Sequence, residues 1–245
     1  MKPDDLALVQ SLPMFRRAQP EHLDELVRGG YLQRYPRGTL LFQEGAHADF
    51  LMILMEGAVE MFARDQDGNE AVVQILFPVD SFILAAALTD TPYLMSARTL
   101  QPSRILLLEA GAFRRIVSAH ADLSVPVMAE LAQQFRRLVR QIKDLKLRTG
   151  AQRLGCFLLA LPTEGGPDGG IDRRSVTLPF DKRILASRLG MTAENLSRAF
   201  STLRGHGLQV QGARIILEDV ARLSAFCRPD PLIDGVEGEL AIPTE

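Results

Sequence analysis

The sequence contains few residues of the types that build covalent or metal-bound frameworks. Only two of its 245 residues are cysteine, Cys156 and Cys227, and only four are histidine. Two thiols form neither a disulfide framework nor a four-ligand metal site. Cys156 lies in the apolar run GCFLLAL and is expected to be buried and inert, whereas Cys227 lies near the C-terminal tail, where it could be exposed.

Long apolar runs are also missing. No run approaches the roughly 18 residues that span a bilayer. The longest apolar stretch, residues 50–62, is interrupted by Glu56, Gly57 and Glu60. The first ten residues, MKPDDLALVQ, carry acids where a secretory signal has a basic segment followed by an apolar one. We therefore expect a soluble, cytoplasmic protein that makes no membrane contact.

The motifs of the common enzyme classes do not occur. The sequence has no phosphate-binding glycine loop with a lysine, no nucleophile elbow and no Cys–His pairing. A cupin-like metal enzyme would need clustered histidine and carboxylate ligands on facing strands, and only His47 lies in the segment with strand-like patterning. We expect no enzymatic activity, no catalytic residue and no metal site.

Charge is distributed unevenly along the chain, although the net charge is only −2. Residues 173–214 carry eight Arg or Lys and two acids, a local excess of +6, whereas residues 229–245 carry five acids and no Lys or Arg. A basic segment in a mildly acidic chain indicates a polyanionic partner at one place. The acidic end is also rich in Pro and Gly, and we expect a mobile tail there.

The first half of the chain predicts short helices followed by a β-roll. Residues 4–28 show helical spacing, divided by Pro13 and Pro20. From Tyr31 the pattern changes to short β-type runs between glycine turns, and Asp67-Gly68 is a strong hairpin signal. Strands this short favour a roll or barrel over a parallel sheet. The predicted strands are 40–42, 50–54, 59–62, 71–76, 95–100 and 104–108.

The longest periodic segment runs from about residue 123 to residue 148. Two apolar series, three residues apart, each repeat every seven residues, which is the spacing of a coiled-coil seam. A globular core usually needs a wider apolar stripe, so we interpret this segment as a dimerising helix; a helix packed on its own domain is the alternative. The predicted interface residues are Met128, Leu131, Phe135, Leu138, Ile142 and Leu145.

The pattern after residue 148 predicts a helix-turn-helix followed by a small β-hairpin, or wing. Ala186 is small where the two helices must approach, Gly190 permits a left-handed backbone at the turn, and Thr192 can cap the second helix through its hydroxyl. The predicted elements are helices at 151–161, 181–190 and 192–204, a strand at 176–179, wing strands at 208–210 and 215–217, and a turn-rich loop at 163–170.

Three polar residues on the second helix indicate DNA reading. Glu194, Ser197 and Arg198 lie at i, i+3 and i+4, so they emerge on one side near the N-terminus of the helix, the end that faces base edges in the major groove. Arginine can donate twice to guanine, and glutamate can accept from a cytosine amino group. A solvated surface pair is the alternative. The other predicted DNA contacts are Thr192 and the phosphate-binding arginines Arg183, Arg188 and Arg204.

On these motifs the chain resembles the Crp/Fnr family of transcription regulators over residues 10–225. The roll carries RGTLLFQEGAHADFLMILMEGAVEMF and the hairpin DQDGNE, and the second domain carries LGMTAENLSRAFSTLR. The order of Glu194, Ser197 and Arg198 is similar to that of Fnr-type members, which read palindromes with TTGA-type half-sites. The resemblance implies a homodimer on double-stranded DNA, with two recognition helices one helical turn apart, and contact with RNA polymerase.

The resemblance also implies an effector site in the roll, where the sequence departs from the cyclic-nucleotide pattern. Such binders carry Gly-Glu and Arg-Ser pairs, and here Ile83-Leu84 and Met95-Ser96 occupy those positions. A cyclic phosphate needs a cation and close backbone amides, which Ile83 and Met95 do not supply, so no cAMP binding is expected. The predicted effector pocket consists of Phe82, Ile83, Leu84, Leu88, Tyr93, Leu94, Met95 and Ser96.

The identity of the effector stays open between three cases. The iron–sulfur centre of Fnr itself is excluded, because no cysteine precedes Cys156. The pocket could hold an apolar ligand, could hold haem that senses NO or another gas, as in the DNR and CooA branches that the chain also resembles, or could be filled by its own side chains. Haem would need an axial ligand, and the histidines His22, His47, His120 and His206 all lie outside the predicted pocket.

Together these patterns predict an α+β chain in four segments. A double-stranded, cyclic-nucleotide-binding-like β-roll with N-terminal helices occupies residues 1–122, and a long dimerisation helix occupies 123–148. A winged helix-turn-helix occupies 149–228, and the acidic tail 229–245. The expected function is a DNA-binding transcription regulator controlled by a small effector. The alternatives are a ligand-binding roll that acts through protein contacts and, third, the cupin-like metal enzyme.

Overall fold

The structure, a computed structural model, describes residues 3–68, 70–162, 174–178 and 181–234. The chain divides into two compact units, Met1–Arg136 and Arg137–Glu245. The first unit has two clusters of buried apolar side chains and the second has one. Among the described residues, no helix is both long enough and apolar enough to cross a membrane.

Two four-stranded antiparallel sheets form the centre of the first unit. Their strand orders are β1-β8-β3-β6 and β2-β7-β4-β5. The strands are β1 (Tyr31–Tyr35), β2 (Leu40–Phe42), β3 (Phe50–Glu56), β4 (Val59–Arg64), β5 (Glu70–Leu76), β6 (Asp80–Phe82), β7 (Ser96–Thr99) and β8 (Ser103–Glu109). The helices are α1 (Pro3–Ser11), α2 (Pro20–Arg28), α3 (Leu84–Thr89), α4 (Ala110–Ala119) and the beginning of α5 (Ala121–Leu147).

Strand β3 explains why its sequence, FLMILME, is almost continuously apolar. Side chains alternate between the two faces of a strand, and both faces of β3 are covered. Leu51 and Ile53 pack into the cluster formed with the helices, whereas Met52 and Leu54 pack into the cluster between the sheets. The double burial places β3 in the interior of its sheet, where it pairs with both β6 and β8.

Two strands of the roll were not predicted from the sequence. Strand β1 is an edge strand of mixed polarity, YLQRY, and none of its residues is fully buried. Strand β6 is only three residues long and pairs with the middle of β3. Both strands depend on pairing with partners distant in sequence, and a short or polar segment carries little periodic signal of its own.

The second unit contains helices packed around a three-stranded antiparallel sheet of order β10-β11-β9. Its apolar core is formed by α6, α7, α8, α9 and the inner faces of the strands. The elements are the end of α5, then α6 (Gly150–Ala160), β9 (Arg174–Thr177), α7 (Lys182–Arg188), α8 (Ala193–Arg204), β10 (Leu208–Gln211), β11 (Arg214–Leu217), α9 (Val220–Cys227) and α10 (Pro231–Asp234). The predicted loop at 163–170 lies outside the described residues.

These elements confirm the predicted fold class of a β-roll, a long helix and a winged helix-turn-helix. The long helix begins at Ala121 and ends at Leu147, close to the predicted range of 123–148. The division between the two compact units falls within this helix, between Arg136 and Arg137.

The segment predicted as a mobile tail begins with a helical turn. Asp234 of α10 accepts hydrogen bonds from both terminal nitrogens of Arg148, at 2.8 and 2.5 Å. Lys143 lies 3.5 Å from Asp230, which precedes α10. These ion pairs connect the start of the tail to α5, and the expectation of a mobile segment from residue 229 stays a prediction. The rest of the tail, 235–245, lies outside the described residues.

Cys227 is buried, which corrects the expectation that it could be exposed. It is 1% exposed and Cys156 is 4% exposed. The Sγ atom of Cys156 lies 3.6 Å from the backbone oxygen of Cys227, because α9 packs on α6. Burial of Cys227 depends on this helix–helix contact, which nothing in its neighbouring residues predicts.

The same contact explains a glycine in α6 and leads to a stability prediction. A Cβ at Gly155 would overlap Sγ of Cys227 and lie 3.6 Å from Leu203. We expect Gly155→Ala to destabilise the second unit by up to about 2 kcal/mol, because overpacking costs about 1–3 kcal/mol and the gain in helix propensity is only about 1 kcal/mol. Thermal unfolding measures the change.

The matched control for this prediction is Gly150→Ala at the start of the same helix. A Cβ there would meet Met191 at 3.4 Å, which is an ordinary contact. This variant should leave the unfolding temperature unchanged or raised. Equal stability of the Gly155→Ala protein and the wild type would show that α6 and α9 are not packed as described.

Candidate nucleic-acid interface

Helices α7 and α8 begin at the residues whose side chains cap them. The Asp181 side chain accepts the N–H of Ile184 at 2.9 Å, and the Thr192 hydroxyl accepts the N–H of Asn195 at 3.2 Å. Each cap satisfies a backbone donor that the first turn of a helix leaves unpaired. The local sequence therefore sets where both helices of the motif start, as predicted for Thr192.

The turn between α7 and α8 requires glycine. Gly190 has a φ of +60°, the left-handed region that glycine adopts without steric cost. A Cβ at this position would lie 2.6 Å from a methyl group of Leu145 on α5. Ala186, predicted to be small because the helices approach there, is 3% exposed, which agrees with that role.

One face of α8 is buried and holds the helix on the second unit. Leu196, Ala199, Phe200 and Leu203 are each 5% exposed or less. Their spacing is that of an amphipathic helix, with the apolar stripe turned toward the core. The opposite face is thereby left for contacts outside the protein.

Glu194, Ser197 and Arg198 lie together on that exposed face. The side chains of Glu194 and Arg198 are 73% and 72% exposed and form an i, i+4 ion pair, and Ser197 is also exposed. An exposed pair of this kind stabilises a helix by only a few tenths of a kcal/mol. Both side chains can therefore exchange this contact for another partner at little cost.

The predicted phosphate-binding arginines do not share one environment. Arg183, in the first turn of α7, and Arg204, in the last turn of α8, are both exposed. Arg188 is different: its guanidinium lies 5.8 Å from the ring centroid of Phe157, and burial lowers its pKa. Arg188 lines a cavity of about 230 Å³ together with residues of α5, α6 and α10. Arg188 is thus less exposed than Arg183 and Arg204, and its assignment to a phosphate stays a prediction.

Next to the helix-turn-helix lies the predicted wing. Strands β10 and β11 pair through a two-residue turn in which Gly212 has a φ of +68°. Strand β9 adds a third strand to this hairpin, and Arg214 donates to the Ser175 hydroxyl at 2.7 Å across the β11–β9 pair. The exposed side chain of Arg214 places a positive charge next to this turn.

The residues predicted to line an effector pocket are divided between the two clusters of the first unit. Phe82 and Tyr93 are buried between the sheets with Ile83 and Met95 at the edge of the same cluster. Leu84 and Leu88 pack instead against the helices. Leu94 is 84% exposed, and the buried Ser96 hydroxyl accepts the N–H of Glu44 at 3.0 Å. The structure therefore brings together only part of the predicted set.

Aromatic rings occupy the space between the two sheets. The ring of Tyr93 lies 4.0 Å from that of Phe42, and Phe82 stacks on Phe42 at 6.4 Å, measured between centroids. Tyr93 is 5% exposed, and this burial raises the pKa of its phenol. These contacts agree with the case in which the roll is filled by its own side chains.

The arginine of β7 is already neutralised by carboxylates. Arg98 forms ion pairs with Glu60 and Glu70, the second at 2.8 Å, and its guanidinium lies 4.3 Å from the ring centroid of Phe62. Ala97 points into the core between the sheets, so Arg98, the next residue, lies on the opposite face of its sheet. Arg98 therefore does not supply the cation that Met95 lacks.

The predicted seam of α5 is largely uncovered. Met128, Phe135, Leu138, Ile142 and Leu145 are between 42% and 67% exposed. Leu131 is partly buried against the cluster of the first unit. An isolated chain thus leaves a row of large apolar side chains on this helix largely exposed, although Leu145 also lies against Gly190.

A β-roll, a long helix and a winged helix-turn-helix together define a two-domain architecture with a DNA-binding motif in its second domain. Residues 32–120 match the model of the cyclic nucleotide-binding domain, and residues 152–226 match that of the Crp-like helix-turn-helix domain. The chain belongs to the Crp/Fnr family of transcription regulators, which are not enzymes, and the predicted resemblance is confirmed.

Three relatives illustrate this similarity. A solved structure from Ruegeria pomeroyi, of a candidate cyclic nucleotide binding protein, is 32% identical, covers 92% of this chain and 97% of its own, and has a TM-score of 0.57. The CRP-like cAMP-activated global transcriptional regulator of Mycobacterium tuberculosis is 26% identical over 88% of this chain and 96% of its own length. The structure of DNR from Pseudomonas aeruginosa, 24% identical, covers 92% of this chain and 99% of its own and shares the fold with a TM-score of 0.52.

Proposed function

We propose that this protein is a homodimeric, sequence-specific DNA-binding transcription regulator that reads a TTGA-type palindrome. The observation that carries the proposal is the joint exposure of Glu194, Ser197 and Arg198 on the outer face of α8, next to its capped N-terminus. This end of a recognition helix faces base edges in the major groove. Arg183 and Arg204 are exposed at the borders of the same motif and are assigned to phosphates.

Dimerisation through α5 would account for the uncovered apolar row on that helix. Heptad spacing places Met128, Phe135 and Ile142 at one seam position and Leu138 and Leu145 at the other, so a second copy can cover them by knobs-into-holes packing. A symmetric pair presents two recognition helices, which matches the two halves of a palindrome. Leu131 contributes less, because it already contacts its own core.

DNA binding is tested by fluorescence anisotropy with a labelled TTGA-type palindrome and a scrambled duplex of equal length. We expect tighter binding to the palindrome, with two chains bound per duplex, and an affinity that falls as salt is raised. Equal affinity for both duplexes would instead favour the alternative, a roll that acts through protein contacts. Contact with RNA polymerase stays a prediction of the family resemblance.

We further propose that the effector of the roll is not cAMP, although the Mycobacterium tuberculosis relative is cAMP-activated by name. Ile83 and Met95 stand where a cyclic phosphate needs close amides and a cation, and Arg98 is paired with two glutamates. Calorimetric titration of the purified protein with cAMP should give no saturable heat, with AMP and cGMP as matched ligands. Saturation at sub-micromolar cAMP would contradict this prediction.

Haem that senses NO or another gas stays a prediction of the family resemblance, as does a different apolar effector. Expression with haem supplied, followed by absorbance in the Soret region, separates the two. A Soret band that survives gel filtration identifies haem; its absence leaves the apolar ligand and the self-filled roll, which a ligand-induced shift in thermal unfolding then distinguishes.

A further inference from the structure

Two histidines and an aspartate meet where α2 packs beside the start of α5. His22 Nδ1 lies 2.9 and 3.1 Å from the two carboxylate oxygens of Asp122, although the residues are 100 positions apart. The ring of His120 stacks on that of His22 with centroids 3.6 Å apart. One ligand atom from each of the three side chains lies within 4.8 Å of the other two, and all three residues are half-buried.

Among the described residues, the hydrogen bonds of this cluster involve His22 and Asp122 but not the ring of His120. Asp122 accepts hydrogen bonds from the backbone N–H of Gln19 and from the imidazole of His22, each at 2.9 Å. In the described part of the chain, neither ring nitrogen of His120 has a hydrogen-bonding partner. Stacking therefore brings an available imidazole nitrogen close to a carboxylate and a second imidazole. All of these groups lie within the first compact unit.

We propose that His22, His120 and Asp122 form a binding site for a divalent transition-metal cation such as zinc or cobalt. Imidazole nitrogen and carboxylate oxygen are the ligands that these cations prefer, and three protein ligands leave a position for water. The N–H of Gln19 would orient the carboxylate as an outer partner of the metal. The sequence analysis expected no metal site, because it considered only the ligands within the roll.

The contacts of the metal-free cluster indicate how a cation would bind to it. Ligand atoms on one tetrahedral zinc lie roughly 3.4 Å apart, given bonds of about 2.1 Å, so the ligand atoms of the cluster, now within 4.8 Å of one another, must approach by about 1.4 Å at most. If the neutral His22 ring binds through Nδ1, its proton moves from Nδ1 to Nε2 by exchange with water, and the cation takes the place of the hydrogen bond to Asp122.

The test is a titration of the full-length, chelator-treated protein with cobalt, followed by the visible d–d absorption, and then displacement by zinc. We expect one cation per chain. His22→Gln and His120→Gln should each weaken binding by at least about tenfold, because each removes a ligand. His47→Gln is the matched control: His47 also pairs with an aspartate, Asp49 at 3.0 Å, but is 60% exposed and outside the cluster.

A second measurement, thermal unfolding with and without zinc, tests the proposal independently of whether one variant fails to fold. Saturating zinc should raise the unfolding temperature of the wild type and of His47→Gln, but not of Asp122→Asn, which keeps an oxygen for the N–H of Gln19. The proposal is overturned by equal affinity of the wild type and the ligand variants, or by no saturable binding to the folded wild type. Neither outcome bears on DNA recognition, because the site lies outside the helix-turn-helix.

Discussion

Replacing Arg198 with alanine is expected to lower the preference for a TTGA-type palindrome over scrambled DNA by roughly 10- to 100-fold for each half-site. The reason is that a bidentate arginine–guanine contact contributes about 1–3 kcal/mol of discrimination against the wrong base. Arg198 is 72% exposed and makes its described ion pair only with Glu194, so its removal should leave the fold intact. Anisotropy measurements on the two duplexes at one salt concentration give the ratio.

Arg183→Ala supplies the contrasting control for this experiment. Arg183 is exposed in the first turn of α7 and is assigned to a phosphate. Its removal should weaken binding to both duplexes alike and reduce the salt dependence by about one counterion. If Arg198→Ala instead weakens both duplexes equally, Arg198 is a phosphate contact and the assignment of base reading to Glu194, Ser197 and Arg198 is wrong.

The second large effect is expected at the seam of α5, where Phe135→Asp should convert the dimer into monomers. Phe135 is 67% exposed in the single chain, so the monomer tolerates a charge there. In a dimer the same carboxylate would be buried without a partner, at a cost of about 3–5 kcal/mol per subunit. The dimer dissociation constant should rise by about 10⁴-fold or more. Light scattering coupled to gel filtration measures the mass directly.

A surface position on the same helix tests whether the effect belongs to the seam. Gln133 is exposed and lies two residues before Phe135, off both seam series. Gln133→Asp should remain dimeric and bind the palindrome as the wild type does, whereas Phe135→Asp should lose cooperative binding of two chains. A wild-type protein that is already monomeric at micromolar concentration would refute the dimer and the palindrome together.

The helix-turn-helix was predicted almost residue by residue because its signals are local. Thr192 caps α8 as expected, Gly190 has the positive φ that its position in the turn requires, and Glu194 and Arg198 lie one turn apart on the exposed side. Each of these features depends on groups no more than four residues apart. Backbone preferences and helical periodicity act over that range without help from the rest of the molecule.

Features that depend on distant partners could not be predicted from the sequence. The sequences of β1 and β6 show little periodic pattern, and these strands form because they pair with β8 and β3. Arg188 belongs to the basic segment in sequence but turns toward Phe157 in space. The predicted effector residues are consecutive along the chain, yet the fold divides them between two cores.

The sequence by itself determined the order of the domains, the capped helices of the DNA-binding motif, the exposed face of α8 and the heptad spacing of α5. These features could be predicted because they depend on residues only a few positions apart. Only the tertiary structure decided which side chains meet across long separations: the burial of Cys227 against α6, the ion pair of Arg148 with Asp234, and the contact of His22 with Asp122. Such contacts arise from sheet pairing and helix packing, whose geometry is set by the whole core.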